Sequence, residues 1–250
     1  MNLTTKISVG LQLATGALGL HGLTLPLAPE DTALNEVLIL ELIVQVIEFL
    51  FYIGFIFILN LTTLTESRYF DWFLSTPIML FTTALYFYYE TQKDRMREGF
   101  VTLQGFAREN QWTIVAVVAL NALMLLCGFM AELGLIPRWF AFVTGTAFLS
   151  ASFWIIYEKY AKYSEKTKQL FYVLFAVWSA YGIAFLCDPV TKNIAYNGLD
   201  IIAKNFFGVY LYFKIREKSK ALPVKTDAEA AVKATVITAP LTRAASSDDQ

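Results

Sequence analysis

Residues 197–208 read NGLDIIAKNFFG, and this stretch of the sequence decides the fold. It lies in an apolar run from Ile194 to Phe213, which is long enough to cross a bilayer as one helix. Asp200 and Lys204 stand inside that run at a spacing of four, so they share one helical face. Because a charged side chain near the middle of a bilayer costs about 3 kcal/mol or more, both residues are candidates for a functional role.

The Asp200–Lys204 pair has two interpretations. In the first, the two side chains form a structural ion pair that faces the other helices. In the second, burial lets the Lys204 amine lose its proton and condense with a carbonyl compound, and the carboxylate neutralises the Schiff base that forms. The pair alone leaves both open, and a second motif decides between them.

The composition is that of a membrane protein. Hydrophobic residues make up 56% of the chain and charged residues only 16%, whereas a soluble domain is about 25% charged. We predict one all-α membrane domain over residues 1–216 and a disordered cytoplasmic tail over residues 217–250. The net charge of −1 and the lack of a basic patch indicate no nucleic-acid partner, and the sequence has no Cys/His cluster that indicates a metal.

Apolar blocks predict seven membrane helices with approximate limits. They cover residues 6–24, 34–61, 66–89, 113–133, 137–157, 168–186 and 192–213. Lys and Arg concentrate in the loops after the third, fifth and seventh helices, which lie on one side of such a bundle. The positive-inside rule makes that side cytoplasmic, so the N-terminus is outside and the C-terminus is cytoplasmic. The first cytoplasmic loop has no basic residue and departs from this pattern.

Residues 68–77, RYFDWFLSTP, form a second polar motif on the third predicted helix. Arg68 and Asp71 are three apart and share a helix face. Ser75 and Thr82 follow that aspartate at spacings of four and eleven and lie on the same face. The third helix therefore supplies an anion, and the seventh helix supplies a lysine at about the same depth.

The two motifs together resemble the microbial (type 1) rhodopsins. In that family the third helix carries Arg-Tyr-x-Asp-Trp-x-x-(Ser/Thr)-Thr-Pro and the seventh carries Leu-Asp-x-x-x-Lys. A third match is Trp-Ser-Ala-Tyr at residues 178–181, although Gly182 replaces the proline that follows in the family. The resemblance covers the whole membrane domain. It implies a seven-transmembrane-helix bundle with all-trans retinal in its centre, and it favours the second interpretation of Lys204.

Each role implied by the resemblance falls on a matching position. Lys204 would bind retinal covalently as a Schiff base, Asp71 would be the primary counterion and proton acceptor, and Asp200 would be the second counterion. Arg68 would place a positive charge on the outer side of both carboxylates, and Tyr52 would bond near Asp200. The residues implied to surround the polyene are Trp72, Thr76, Phe142, Trp178 and Tyr181. Alone, each of these aromatic residues would be assigned to ordinary helix packing.

Two features depart from the proton pumps of this family. Those proteins carry a carboxylic acid eleven residues after the counterion, where this chain has Thr82, which cannot return a proton. Their pair of glutamates in the last extracellular loop is also missing, and Asp188 is the only acid there. Reprotonation is therefore slow, or another acid has this role, or the protein is not primarily a pump.

Acidic residues on the second predicted helix could replace the proton-donating acid that is missing at position 82. Glu41 and Glu48 are seven residues apart and line one helix face, with Glu36 nearer the cytoplasmic mouth. Asn205 follows Lys204 directly on the seventh helix. Acids along one face of a membrane helix indicate a hydrated path or a proton relay. This row resembles channelrhodopsins and the rhodopsins of giant algal viruses. The simpler alternatives are an exposed Glu36 and neutral, hydrogen-bonded core acids at the other two positions.

These features predict a light-gated cation channel rather than an enzyme, with the helix-two glutamates along the ion path. The alternative is a light-driven outward proton pump in which Glu41 replaces the missing donor. A third function is a photosensor that signals through a partner, and a fourth interpretation is a retinal-free protein with a structural ion pair. The resemblance further implies a homo-oligomer surrounded by lipid, in the plasma membrane or a host cell membrane.

Overall fold

The computed structural model describes residues 2–58, 60–94 and 100–222, and most of them are helical. The α-helices are α1 (Asn2–Leu23), α2 (Ala33–Phe55), α3 (Leu61–Asp94), α4 (Leu103–Glu109), α5 (Gln111–Glu132), α6 (Arg138–Lys159), α7 (Glu165–Phe185), α8 (Pro189–Asp200) and α9 (Phe206–Ala221). Short 3₁₀ helices at Pro29–Asp31 and Ala161–Tyr163 precede α2 and α7. A π-helical turn, Ile201–Asn205, joins α8 to α9, so the two form one continuous helix.

The bundle consists of α1, α2, α3, α5, α6, α7 and the continuous α8–α9 helix. Each of these packs on the next, and α1 closes the ring by packing on both α2 and α8–α9. By length and hydropathy, α2, α5, α6 and α7 could each cross a membrane. α1, α3 and α8–α9 carry many of the buried polar side chains, which face the interior of the bundle.

One end of the bundle, which we call the basic end, brings together the start of α2 and the ends of α3, α6 and α9. There the Thr91 hydroxyl donates to the carbonyl of Tyr160 at 3.1 Å, and Lys218 Nζ lies 3.5 Å from a carboxylate oxygen of Asp31. This is the end predicted to be cytoplasmic, and we call the opposite end the outer end. The apolar cluster that packs the bundle near the basic end includes Leu34, Leu38, Phe87, Leu211 and Ile215.

The loop between α2 and α3 lies earlier in the chain than the sequence predicts. α2 ends at Phe55 and α3 begins at Leu61, whereas the predicted limits were near residues 61 and 66. The reason is Asn60, whose side-chain oxygen accepts from the N–H groups of Thr62 and Thr63 at 2.8 and 3.3 Å. This is an N-cap arrangement, and it starts a helix on polar residues that an apolar pattern does not reveal.

Two further differences from the prediction lie near the basic end: an additional short helix and a longer last helix. α4 is absent from the sequence prediction; it is started by Thr102, whose hydroxyl accepts from the Gly105 N–H at 3.1 Å. α9 continues to Ala221, so the predicted start of the tail at residue 217 falls inside a helix. The rest of the predicted tail, residues 223–250, lies outside the described residues, as do the basic positions in 95–99.

The outer end is fixed by a helix cap and a buried ion pair. Asp188 caps α8 by accepting from the N–H groups of Val190 and Thr191 at 3.0 and 3.1 Å. Hydrogen bonds from Thr191 lower the pKa of the exposed Asp188 carboxyl. Lys192 Nζ donates to both carboxylate oxygens of Glu132 at 2.6 and 2.7 Å. The one acid that the sequence placed in this loop is therefore a capping residue.

Candidate functional site

Lys204 is positioned by the π-helical turn Ile201–Asn205. A π turn bonds over five residues instead of four, so it rotates the side chains that follow it. Within this turn Lys204 does not pair with Asp200, although α-helical spacing predicts that contact. Its Nζ lies 2.5 Å from Oδ2 of Asp71 on α3, and both side chains are buried. The first interpretation of the sequence, a structural Asp200–Lys204 ion pair, is wrong.

Asp71 has one occupied and one unoccupied carboxylate oxygen. Oδ2 accepts from Lys204, whereas Oδ1 is buried and has no hydrogen-bond partner in the described part of the chain. Ser75, which the sequence placed on this face, donates to the backbone carbonyl of Asp71 at 2.8 Å and not to its carboxylate. The Asp71 charge is therefore stabilised chiefly by Lys204, and few other hydrogen bonds oppose a proton moving along this contact.

Asp200, in contrast, is saturated with donors. Tyr52 and Tyr181 donate their hydroxyl protons to it at 2.7 and 2.8 Å. The indole Nε1 of Trp72 and a guanidinium nitrogen of Arg68 each donate at 3.1 Å. Asp200 and Arg68 form a fully buried ion pair. The sequence placed Tyr52 near Asp200, and the two are in direct contact.

Arg68 is held by two asparagines that the sequence analysis missed. Its Nε donates to the side-chain oxygen of Asn193 at 3.1 Å, and another guanidinium nitrogen donates to that of Asn197. These asparagines lie on α8, nearer the outer end than Asp200. The spacing in the sequence could have identified both asparagines, because residues 193, 197, 200 and 204 recur at the spacing of one helical face.

An apolar cavity lies inside the bundle and reaches Lys204. Its walls include every residue that the resemblance assigns to the polyene: Trp72, Thr76, Phe142, Trp178 and Tyr181. Gly128, which the sequence analysis missed, also lines the cavity, and a Cβ there would come within 2.5 Å of the Tyr69 hydroxyl. A long, flat apolar aldehyde such as retinal fits this arrangement, because the walls are aromatic and the cavity contains a buried primary amine.

Asn121 on α5 is a further residue that the sequence analysis missed. Its Nδ2 donates to the Thr76 hydroxyl at 2.7 Å, and that hydroxyl donates to the backbone carbonyl of Trp72 at 2.6 Å. The Oδ1 of Asn121 is buried and has no partner within the described ranges. An isolated amide in the middle of an apolar helix was the available signal. This chain of contacts fixes Thr76 at the cavity wall.

Glu41 and Thr82 are in direct contact. The Thr82 hydroxyl bonds to a carboxyl oxygen of Glu41 and also lies 3.0 Å from the backbone carbonyl of Met79. One hydroxyl proton cannot serve both acceptors, so a neutral Glu41 that donates to Thr82 satisfies the arrangement best. The neutral, buried form is the simpler alternative from the sequence, and it is also the form that a proton donor requires.

Glu48 is fully buried, and neither of its carboxyl oxygens has a hydrogen-bond partner among the residues that the structure describes. The same holds for both polar side-chain atoms of Gln12, for Oε1 of Gln45 and for Nδ2 of Asn205. We call these four residues the inner polar cluster. They lie on α1, α2 and the π turn, which pack against one another. The Oδ1 of Asn205 accepts from the Thr15 hydroxyl at 2.5 Å.

Glu36 has a different environment from the other two glutamates of α2. Its carboxylate accepts from the backbone N–H of Leu103, the first residue of α4, at 2.6 Å. An acid at a helix N-terminus stabilises the helix through its unpaired N–H groups and its dipole. Glu36 is therefore half-buried and bound to α4, rather than lying exposed at a helix end.

One protein family matches nearly the whole sequence. A family model described as bacteriorhodopsin-like protein matches residues 4–217. The chain belongs to this family. It is therefore a multi-pass integral membrane protein, and its family implies a retinal chromophore bound to a lysine. A search of curated proteins gave no match.

Solved rhodopsin structures share the fold at low sequence identity. A viral rhodopsin, OLPVRII, has a TM-score of 0.73 at 21% identity, covering 86% of this chain and 97% of its own. The thermophilic rhodopsin from Rubrobacter xylanophilus has a TM-score of 0.64 at 18% identity, covering 87% and 96%. Halorhodopsin, a light-driven chloride pump, has a TM-score of 0.60 at 17% identity, covering 89% and 98%. The predicted seven-helix rhodopsin fold is confirmed.

The ion pairs Arg68–Asp200 and Lys204–Asp71 are expected to differ in their effect on stability. Asp200→Asn leaves the Arg68 guanidinium buried without its carboxylate, and Arg68 cannot deprotonate. Asp71→Asn leaves Lys204, whose amine can become neutral. In the retinal-free protein we expect Asp200→Asn to cost about 3–5 kcal/mol and Asp71→Asn to cost clearly less. Thermal unfolding in detergent measures both, and equal losses would contradict this asymmetry.

Proposed function

We propose that the chain binds all-trans retinal through Lys204 and acts as a light-gated cation channel. When bound, retinal supplies light absorption and an isomerisation that changes the environment of the Lys204 nitrogen. Two observations support Lys204 as the attachment point. It is a buried lysine on the cavity wall, and its amine already faces a carboxylate at 2.5 Å.

In this proposal the two aspartates have different tasks. Asp71 accepts the proton from the Lys204 nitrogen, because the contact is short and one carboxylate oxygen has no other donor. Asp200 stays a fixed negative charge, because four donors and the paired Arg68 hold it in place. The aromatic rings of Trp72 and Trp178 confine a flat ligand in the cavity.

The observation that supports a channel is the inner polar cluster. A buried polar group without a partner costs about 1–3 kcal/mol, so several of them on helices that pack together are stable only where water can reach them. The cluster lies between α1, α2 and the π turn, beside the residue that carries the chromophore. A hydrated seam at this position provides a path for cations when the bundle opens.

Near the basic end this seam is closed. Leu38, Phe207 and Leu211 are buried there and belong to one apolar cluster. An ion that has reached Glu48 must pass this cluster before it leaves the bundle. In this proposal the arrangement is the closed state of the channel, and light separates α9 from α2 and α3 for conduction.

Retinal attachment is tested by absorption spectroscopy after addition of all-trans retinal. Lys204→Ala and Lys204→Arg are both expected to lose the visible band, because a guanidinium keeps the charge opposite Asp71 but does not condense with an aldehyde. Lys192→Arg is the matched control, since it changes another buried lysine and keeps the ion pair with Glu132. A visible band in Lys204→Arg would exclude this attachment point.

Channel function is tested by whole-cell voltage clamp with added retinal and voltage steps during illumination. We expect a photocurrent that changes sign, with a reversal potential that follows the cation gradient. Glu48→Gln is expected to reduce this current several-fold, while Glu66→Gln, at the outer end of α3, leaves it unchanged. A photocurrent of one sign at every voltage would contradict the channel, and no photocurrent with a photocycle of seconds would indicate a photosensor.

A second candidate function is an outward proton pump, and the Glu41–Thr82 contact favours it. Glu41 is buried and bonded to the position where the pumps of the family carry their donor. A neutral Glu41 could give its proton to the Lys204 nitrogen, and the family's missing acid would then be supplied by α2 instead of α3.

Glu41→Gln distinguishes a donor from a structural acid. A positioned acid accelerates proton transfer by ~10²–10⁴-fold, so return of the proton to the Lys204 nitrogen should slow by roughly a hundredfold. Flash-induced absorbance recovery measures this rate. Glu36→Gln is the control, because that carboxylate is bound to α4. Unchanged recovery in Glu41→Gln would remove this residue from the donor role.

A further inference from the structure

Glu90 is a buried acid near the basic end that the proposed function leaves without a role. Its Oε1 accepts from the Tyr86 hydroxyl at 3.2 Å and lies 3.7 Å from Lys214 Nζ on α9. The Tyr86 hydroxyl also lies 2.8 Å from that of Tyr210. The Glu90 side chain is 7% exposed and that of Lys214 is 15% exposed, so this group meets solvent on the Lys214 side.

Glu90 lies on the same face of α3 as the contact between Thr82 and Glu41. Thr82, Tyr86 and Glu90 follow one another at a spacing of four, which is about 6 Å along the helix for each step. The Tyr86 hydroxyl already reaches Glu90. Within the described residues no hydrogen bond joins the Tyr86 hydroxyl to the Glu41–Thr82 contact, so a relay over this remaining turn of the helix requires an intervening water molecule.

We propose that Glu90 takes up protons from the basic end and that Tyr86 relays them to Glu41. The proposal rests on the proposed roles of Lys204 and Glu41, and it holds for the channel and for the pump. After Glu41 gives its carboxyl proton to the Lys204 nitrogen, Glu90 takes a proton from solvent. Glu90 then gives this proton to the Tyr86 hydroxyl as that hydroxyl passes its own proton on to the Glu41 carboxylate, so no tyrosinate forms. The balance is one proton moved from solvent to Lys204.

The charges around Glu90 suit proton exchange. Lys214 lies 3.7 Å from Glu90, whereas the ion pairs of Lys204 and Lys192 measure 2.5 and 2.6 Å. The Tyr86 hydroxyl, from the same helix, donates to Glu90, and the Tyr210 hydroxyl of α9 contacts that of Tyr86. The adjacent Tyr89 is bonded to Asp31, which also faces Lys218. The contact of Glu90 with Lys214 is therefore the longest of the three, and it lies on the side of Glu90 that meets solvent.

The test is flash-induced absorbance recovery of the full chain with retinal, in lipid vesicles. Glu90→Gln should slow recovery by roughly tenfold or more, and Tyr86→Phe should do the same, since each removes one proton-carrying group. Sodium azide, a small weak acid that carries protons into the protein, should restore the rate in Glu90→Gln. The double variant Glu41→Gln/Glu90→Gln should recover no more slowly than Glu41→Gln alone.

The matched control is Glu109→Gln. Glu109 also accepts from a tyrosine of α3, because the Tyr88 hydroxyl donates to it at 2.9 Å, but it lies exposed on α4. The rate of absorbance recovery in Glu109→Gln should equal that of the unchanged protein. Thermal unfolding of the retinal-free variants should show that Glu90→Gln folds normally. If Glu90→Gln does not fold, Tyr86→Phe gives the same test.

Three results would overturn the proposal: a normal rate in Glu90→Gln or Tyr86→Phe, an equal slowing in Glu109→Gln, or a slowing that azide does not restore. Glu41→Gln, measured in parallel, separates this proposal from the proposed function. An unchanged rate in Glu41→Gln refutes the donor, whereas slow recovery in Glu41→Gln with normal recovery in Glu90→Gln refutes only the uptake residue.

Discussion

The contact between Lys204 and Asp71 is the constraint on which the rest of the site depends. A lysine and an aspartate are buried together in the centre of an apolar bundle, where either one would be costly if it stayed charged without the other. A second ion pair, Arg68 with Asp200, lies beside the first. Because each charge has one opposite charge, the four are neutral as a set. The cavity for a long apolar ligand can therefore end at an amine without a net buried charge.

The unequal hydrogen bonding of the two aspartates determines which of them accepts a proton from Lys204. Four side chains donate to Asp200, whereas Asp71 has Lys204 and an oxygen without a partner in the described chain. Protonating Asp200 would break an ion pair with an arginine that cannot deprotonate, while protonating Asp71 needs only the proton of its own partner. The arrangement therefore favours transfer from Lys204 to Asp71.

The sequence predicts the fold and most of the site because both depend on periodicity and on residue types that are costly in a membrane. Asp71, Asp200 and Lys204 are recognisable because a charged residue in an apolar membrane helix is costly and therefore indicates a functional role. The pairing is not predictable, because it depends on contacts between helices that the sequence does not show: Asp200 accepts from side chains of α2, α3 and α7, and Lys204 donates to Asp71 on α3. Glu36 shows the same limit: its partner is a backbone N–H of α4, a helix set by a local cap rather than by apolar spacing.

The three glutamates of α2 illustrate how one row of acids divides into separate environments. Glu48 is buried without hydrogen-bond partners in the described chain, Glu41 shares a hydrogen bond with Thr82, and Glu36 is bound to α4. An unpartnered acid in a polar seam suits ion passage, whereas an acid bonded to a hydroxyl suits the storage of one proton. Both needs can therefore be met on one helix, since the two inner acids are two turns apart. Which of the two functions results then depends on the apolar cluster near the basic end. If this cluster stays closed, hydrated cations are excluded and only protons pass, by relay. If it opens, cations can pass down their gradient.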